Sequence, residues 1–228
     1  MKQTTLTDRI CIMFPVRRIP GYGRAAIILM LAMNCLTFFG SRLFNSSWHH
    51  YQMATGLDGR IPFIKEFILI YIFLAYGQWI CGYYLMACEE KAVCLRICTA
   101  EMTAKLLCLI CFLLVPTTMV RADVPGQDFF SKCVRLLYES DAADNLFPSI
   151  HCLESYLLVR VLPWMKKVPG WYRKLTLPAT LLVMLSTLFV KQHVIVDVFG
   201  AILAVEIGIA VSRLLLSKSV AYEKRKKQ

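Results

Sequence analysis

Two residues near the end of the chain could carry out group transfer together. His193 and Asp197 are four residues apart, so on a helix they share one face, one turn apart. A carboxylate that accepts a hydrogen bond from one ring nitrogen leaves the other nitrogen with its lone pair available and more basic. Such an imidazole can attack phosphorus and form a phosphohistidine. The structural alternative is a buried polar pair that holds a helix end.

A second histidine follows the segment Pro148-Ser149-Ile150, at the start of an apolar run. Ser149 can cap a helix that begins there. The free N–H groups at such a helix start favour a phosphate. In the first turn, His151 could protonate a leaving alkoxide, which contributes roughly 10²–10⁴-fold in rate. Alone, a serine and a histidine at a helix start are more often structural.

Two cations stand close to these groups in the sequence. The forked guanidinium of Arg121 could bind two phosphoryl oxygens, and Lys191 lies two residues before His193. Each alone would be read as an ordinary interfacial or snorkelling cation. Gln192 could donate to the same site. The polar side chains that could line the access for a headgroup are Tyr138, Asp141, Asp144 and Asn145. Glu154 is one turn past His151 and could tune it, or could pair with Arg160 or Lys191.

The elements that must position these residues follow from the hydropathy. The chain has 228 residues, of which 57% are hydrophobic, and its mean hydropathy is +0.55. The apolar residues form blocks, and a helix of about 20 residues spans roughly 30 Å of hydrocarbon. We therefore predict an all-α integral membrane protein with six transmembrane helices. The predicted spans are 25–44, 67–87, 99–115, 150–164, 175–190 and 194–216.

One membrane domain accounts for most of the chain. We assign residues 25–216 to it, with a basic cytoplasmic N-terminus at 1–24 and a basic cytoplasmic tail at 217–228. No cleavable signal peptide is expected, because no small-residue cleavage site follows the first apolar block. The ten cysteines lie mostly in or beside apolar blocks without a CxxC pair, so we expect packing residues and neither disulfides nor a metal site.

The basic residues predict the orientation. A net charge of +11 would suggest nucleic acid as the partner of a soluble protein. Here Lys and Arg cluster at helix ends and in the tail, so the partner expected is the bilayer and not nucleic acid. The bias places both termini in the cytoplasm, and the tail can contact anionic lipid headgroups. A bacterial plasma membrane is the expected location.

This topology brings three distant segments to one face. The third span ends before Arg121, the fourth begins at His151, and the turn between the fifth and sixth spans carries His193. All three lie on the outer side in the predicted orientation. We therefore expect the active site at the outer membrane face, with a lipid phosphate as substrate.

The same segments resemble the type 2 phosphatidic acid phosphatase superfamily of membrane lipid phosphatases and phosphotransferases. Its Pro-Ser-x-His motif matches the segment from Pro148 to His151, and its His-x-x-x-Asp core matches His193 to Asp197. The sequence FPSIH at residues 147–151 resembles the motif of the branch that includes inositol phosphorylceramide synthases. The motifs cover roughly residues 116–200, and the six-helix plan covers the whole chain.

The resemblance implies a role for each matched residue. It implies that His193 is the nucleophile, that Asp197 orients it, and that His151 is the general acid. It also implies that Arg121 and Ser149 hold the phosphate, and that no metal or other cofactor is required.

The chain departs from the motifs of this superfamily at three positions. The motif arginine corresponds to Arg121. The lysine that usually stands seven residues before this arginine is replaced by Leu114, and the proline that usually follows the arginine is replaced by Ala122. The usual arginine of the third motif is replaced by Thr187. The predicted phosphate pocket thus lacks two usual cations, of which Lys191 could replace one.

Three functions stay open at this stage. The first is a lipid phosphate phosphatase that acts on phosphatidate, phosphatidylglycerophosphate or a polyprenyl diphosphate through a phosphohistidine. The second is a phosphotransferase of the inositol phosphorylceramide synthase type, which passes a headgroup to an alcohol. The third, motivated by the missing cations, is a catalytically weak protein that binds or transports anionic lipid.

Overall fold

The computed structural model describes the backbone of residues 18–226 and the side chains of residues 18–215. The described chain is predominantly helical. The helices are α1 (Gly21–Asn45), α2 (Lys65–Ala87), α3 (Lys91–Leu114), α4 (Phe129–Ser140), α5 (Ile150–Val161), α6 (Gly170–Phe189) and α7 (Ile195–Lys226). Two short parallel strands, β1 (Tyr51–Gln52) and β2 (Thr117–Thr118), join two of the connecting segments.

Four of the described helices are long and apolar enough to cross a membrane by length and composition. They are α1, α2, α3 and the first part of α7, Ile195–Leu215. The prediction of an all-α membrane protein is confirmed to this extent. Helices α5 and α6 occupy the places of the fourth and fifth predicted spans but are not among these four. Helix α5 has only 12 residues, about 18 Å of helix.

Several predicted boundaries were wrong. Helix α3 begins at Lys91, eight residues before the predicted start, because hydropathy marks the apolar centre of a helix and not its polar first turns. The sixth predicted span, 194–216, agrees with the apolar part of α7, Ile195–Leu215, and the helix continues beyond it to Lys226, because Lys, Arg, Glu and Ala are good helix formers. Residues 1–17 of the predicted N-terminal segment and residues 227–228 lie outside the described residues.

Helix α4 lies between the third and fourth predicted spans, where no helix was predicted. Asp128 caps it, accepting hydrogen bonds from the backbone N–H groups of Phe130 and Ser131 at 3.1 and 3.2 Å. Such a carboxylate satisfies free donors in the first turn and favours the helix start. The side chains of Ser131 and Val134 are buried. The segment was missed because its apolar stretch is too short to stand out in hydropathy.

The long helices run alternately between two ends of one bundle. We call the site end the one at which α1, α3 and α6 finish and α2, α5 and α7 begin. Helices α3 and α7 approach closely, since a Cβ at Gly208 would lie 2.2 Å from the carbonyl oxygen of Ala100. Helix α5 is buried among its neighbours through Leu153, Leu157 and Val161.

A buried ionic cluster joins α3, α5 and α2 in the middle of the bundle. The Lys105 ammonium lies 2.7 Å from Glu101 and 2.5 Å from Glu154, and the Tyr83 hydroxyl lies 2.6 and 2.8 Å from the same two carboxylates. Of the two alternatives for Glu154, the pairing with Arg160 or Lys191 was therefore wrong. The rotation of α5 turns Glu154 toward α3, and Arg160 pairs instead with Glu206 on α7.

The connecting segments at the site end hold one another in place. The backbone N–H of Tyr51 donates to the carbonyl of Pro116 at 2.9 Å, next to the pairing of β1 with β2. The N–H of Ile64 donates to the carbonyl of Phe189 at 3.0 Å. The segment 46–64 is thus fixed both to the segment after α3 and to the end of α6.

Candidate active site

His193 and Asp197 form a hydrogen-bonded pair at the start of α7. The distance from His193 Nδ1 to Asp197 Oδ2 is 3.1 Å, and the aspartate side chain is fully buried. The same oxygen accepts from the N–H of Val194 at 3.0 Å. A carboxylate accepts only from a protonated nitrogen, which assigns the proton to Nδ1 and the lone pair to Nε2. This is the arrangement of an oriented, nucleophilic imidazole.

The turn before α7 holds His193 by its backbone. The carbonyl of Thr187 accepts from the N–H groups of Gln192 and His193 at 2.9 and 3.1 Å. Lys191 adopts a left-handed conformation with φ of 50°, which costs a residue with a Cβ about 1–2 kcal/mol. The chain therefore reverses tightly between α6 and α7, so that His193 faces the interior of the site end.

His151 lies in the first turn of α5 among aromatic rings of α2. Ser149 caps the helix by accepting from the N–H of Cys152 at 3.3 Å, as predicted. The His151 ring stacks on Tyr71 with centroids 4.3 Å apart and lies 5.0 Å from the Trp79 ring. The Tyr71 hydroxyl is 3.3 Å from Nδ1. Nε2 of His151 has no hydrogen-bond partner among the described residues.

The two histidines face each other across a cavity. Their ring centroids are 6.3 Å apart, and both side chains line a cavity of about 420 Å³. The N–H of Ser149 donates to the Asp197 carbonyl at 3.2 Å, which fixes the start of α5 against the start of α7. A phosphoryl group bound in this cavity beside both rings would have a nucleophile on one side and an acid on the other.

Arg121 is anchored beside this space by two contacts. Its Nη2 donates to Gln192 Oε1 at 3.1 Å, and its guanidinium lies 4.5 Å from the centroid of the Tyr138 ring. The Tyr138 hydroxyl donates to the carbonyl of Val190 at 2.8 Å. Burial lowers the pKa of Arg121 and raises the pKa of Tyr138 to about 12. The guanidinium remains charged, because its reference value is so high.

Several donors at this place are buried without a partner. Within the described chain, Arg121 Nε, Arg121 Nη1 and Gln192 Nε2 have no hydrogen-bond acceptor. Leaving a buried donor unpaired costs roughly 1–3 kcal/mol, and more for a charged group. Buried unpaired groups in one region indicate a ligand that pairs with them. An anion with several oxygens would satisfy this set.

Lys191 is engaged mainly with the segment before α2. Its ammonium donates to the carbonyls of Asp58 and Ile61 at 3.0 and 2.6 Å, and burial lowers its pKa. It lines a second cavity, of about 300 Å³, together with Arg121 and His193. Two of its three N–H donors are thus used by the fold, and its role as a phosphate ligand stays a prediction.

Three of the four residues predicted to line the access for a headgroup, Asp141, Asp144 and Asn145, are part of the wall of the larger cavity, whereas Tyr138 packs against Arg121. Asn145 is buried and exchanges amide hydrogen bonds with Asn45 at 2.8 and 3.1 Å. Arg42 binds Asp141 and Asp144 at 2.7 and 2.6 Å. Gln192 also lines this cavity. The far wall is therefore polar but largely self-paired.

Some residues of the site were missed in the sequence. Tyr71 and Trp79 are eight residues apart, which is about two helical turns and places them on one face of α2. That spacing could have identified them. No local signal identifies Asp58, whose carboxylate accepts from the N–H of Ile195 at 2.7 Å and caps α7 across 137 residues of sequence. Hydrogen bonds from Thr55 and Ile195 outweigh the effect of burial and lower the pKa of Asp58.

No protein-family model, no curated protein and no solved structure matches the chain. Among the described residues, no group of three His, Cys, Asp or Glu side chains is arranged to hold a metal ion. The chemistry available at this end of the bundle is therefore that of two opposed imidazoles, one oriented by a carboxylate, beside a buried guanidinium.

Proposed function

We propose that the protein is a metal-independent lipid phosphate phosphatase that acts through a phosphohistidine. The observation that carries the proposal is the facing of His193 and His151 across 6.3 Å, with Asp197 on the nucleophile. The unpaired donors of Arg121 and Gln192 support it, because they provide for phosphoryl oxygens. The resemblance to the type 2 phosphatidic acid phosphatase superfamily implies the same roles.

Hydrolysis of the lipid phosphate proceeds in two steps. His193 Nε2 attacks phosphorus, an N–P bond forms, the P–O bond to the lipid alcohol breaks, and His151 gives its proton to the leaving alkoxide. Water then attacks the phosphohistidine and returns a proton to His151, the N–P bond breaks, and inorganic phosphate leaves. The negative charge of the bound phosphate favours the protonated imidazole of His151 that the first step needs.

The proposed setting is a bilayer crossed six times. Helices α5 and α6 complete the spans, both termini lie in the cytoplasm, and the site end faces outward from a bacterial plasma membrane. The four long apolar helices support the membrane setting. The candidate substrates are phosphatidate, phosphatidylglycerophosphate and polyprenyl diphosphate.

A phosphotransferase is the second candidate. The cavity of about 420 Å³ beside the histidines has space for an acceptor alcohol in addition to the phosphate. In that reaction an alcohol would replace water in the second step. Product analysis by thin-layer chromatography, with and without added diacylglycerol or a polyol, separates the two reactions. A phosphatase releases mainly inorganic phosphate, whereas a transferase that acts on a lipid phosphate forms a phosphomonoester of the added alcohol.

The direct test compares phosphate release by the purified parent protein with that of His193→Ala over the three candidate substrates. His49→Ala is the matched control, since His49 is exposed and lies outside the site. We expect the parent and the control to release phosphate and His193→Ala to be inactive. Lipid binding without turnover by the parent would favour the third possibility, an anionic-lipid binding protein.

A further inference from the structure

The larger cavity opens sideways between α1 and α2. Its wall includes Phe38 and Phe39 of α1 and Ile72 and Tyr76 of α2. Phe39 is 61% exposed and Tyr76 is 49% exposed on the outer surface of the bundle. The cavity therefore extends from the histidines to a surface that, in membrane-crossing helices, faces lipid.

Both helices change their winding at this opening. The segment Leu36–Gly40 of α1 and the segment Ile70–Leu74 of α2 are π-helical. Such segments are rare and occur frequently at functional sites, because the extra residue in the turn redirects side chains. Phe38 and Phe39 come from the first segment, and Tyr71 and Ile72 come from the second. Two rare turns thus line one cavity.

The same two helices are close together at the opposite end of the bundle. A Cβ at Gly23 would lie 2.3 Å from the carbonyl oxygen of Ala87, so the backbones touch there. The contact fixes one end of the pair, while the cavity lies between the helices at the site end. The separation of α1 and α2 at the site end therefore follows from the arrangement of the two helices.

The opening is continuous with the candidate active site. Tyr71, from the π-helical segment of α2, is buried and stacks on His151. The second cavity leaves His193 in another direction, among the connecting segments that carry Asp58, Arg121 and Lys191. His193 therefore borders two cavities, one that reaches the exposed side chains of α1 and α2 and one that lies among the connecting segments.

We infer that the opening between α1 and α2 binds the acyl chains of a bilayer lipid whose phosphate lies between His151 and His193. The inference rests on the proposed function and adds to it the route of the substrate. The lipid moves sideways from the bilayer, with its chains against Phe39, Ile72 and Tyr76. Water and released phosphate use the second cavity, which Arg121 and Lys191 line.

The test narrows the opening and compares substrates that differ only in their chains. Ile72→Trp adds bulk to the cavity wall, and Phe73→Trp is the control, since Phe73 is the next residue but lines a different pocket, between α2 and α6. Each variant is assayed with dioleoyl phosphatidate in vesicles and with water-soluble dihexanoyl phosphatidate. We expect Ile72→Trp to lose about tenfold or more in kcat/KM on the dioleoyl lipid and to stay within about twofold on the soluble ester.

Two results would overturn the inference. One is an equal loss on both substrates for Ile72→Trp, and the other is an equal loss on the dioleoyl lipid for both variants. If the parent hydrolyses neither ester, the proposed function fails. Native mass spectrometry of bound dioleoyl phosphatidate then tests the opening between α1 and α2 independently of activity. Lipid retained by the parent and Phe73→Trp but not by Ile72→Trp supports the opening, whereas equal retention or none refutes it.

Discussion

Tyr71 of α2 stacks on the imidazole of His151, with ring centroids 4.3 Å apart and an interplanar angle of 21°. The pair joins a helix of the cavity wall to the proposed general acid. The stack restrains the ring of His151, whose Nε2 has no partner within the described residues. Orientation of the acid therefore depends on an aromatic contact in addition to the helix cap at Ser149.

The stack predicts unequal effects of two substitutions. Tyr71→Phe keeps the ring and should reduce kcat by no more than about threefold, whereas Tyr71→Ala removes the ring and should reduce it roughly 10²-fold. Steady-state phosphate release measures both. Tyr156→Ala is the matched control, because it also removes a tyrosine ring, and the Tyr156 hydroxyl donates to Glu206 on α7. Equal activity of Tyr71→Ala and the parent would contradict the role of the stack.

The carboxylate of Asp197 should matter for rate more than for substrate binding. Asp197→Asn cannot accept the Nδ1 proton in the same way and allows the wrong tautomer of His193, so we expect kcat to fall by about 10³–10⁴-fold. Glu206→Gln on the same helix removes a carboxylate that pairs with Arg160 and Tyr156 instead. That control should retain kcat within about threefold. A fall in kcat for both variants alike would point to damage to α7 and not to the tautomer.

We expect Arg121 to bind the phosphate through several N–H donors of its guanidinium at once. Arg121→Lys keeps the charge but cannot supply Nε and Nη donors together, and we expect orthovanadate to bind about 10–100-fold more weakly. Arg135→Lys is the matched control, because Arg135 donates to the carbonyls of Val124 and Gly126 in the segment that precedes α4. Isothermal titration with vanadate measures both. Unchanged affinity in Arg121→Lys would exclude Arg121 from the anion site.

The buried cluster around Lys105 should determine stability. Lys105→Met leaves the carboxylates of Glu101 and Glu154 buried without their cation, and we expect a loss of about 3–5 kcal/mol in the free energy of unfolding. Lys65→Met removes an exposed partner of Asp128 and should leave Tm nearly unchanged. Thermal unfolding in detergent compares the two. Similar Tm values for both variants would show that the cluster does not stabilise the bundle.

The local parts of this structure could be predicted from sequence. The pairing of His193 with Asp197 was predicted correctly, although His193 precedes the first helical residue, Ile195, and Asp197 reaches back to it from the first turn of α7. Ser149 caps α5 as predicted, since the cap and its N–H lie three residues apart. Long apolar blocks gave the existence of the main helices, although not their ends, which depend on polar first and last turns.

The parts of the structure that depend on packing between distant segments could not be predicted from the sequence. Glu154 meets Lys105 because of how α5 is rotated against α3, and one sequence does not specify that rotation. Lys191 donates to the carbonyl of Asp58 across 133 residues, so a cation expected at the phosphate instead fastens a connecting segment. The position of Tyr71 against His151 likewise appears only when α2 and α5 are placed side by side.

The central claim is that His193 carries the phosphoryl group. The parent protein is incubated with ³²P-labelled phosphatidate, quenched in alkali and digested with trypsin. Cleavage after Lys191 and Arg213 separates residues 192–213, which contain His193, from residues 136–160, which contain His151. We predict acid-labile label on residues 192–213 and none in His193→Ala. Label on residues 136–160, or phosphate release without any labelled peptide, would contradict the account.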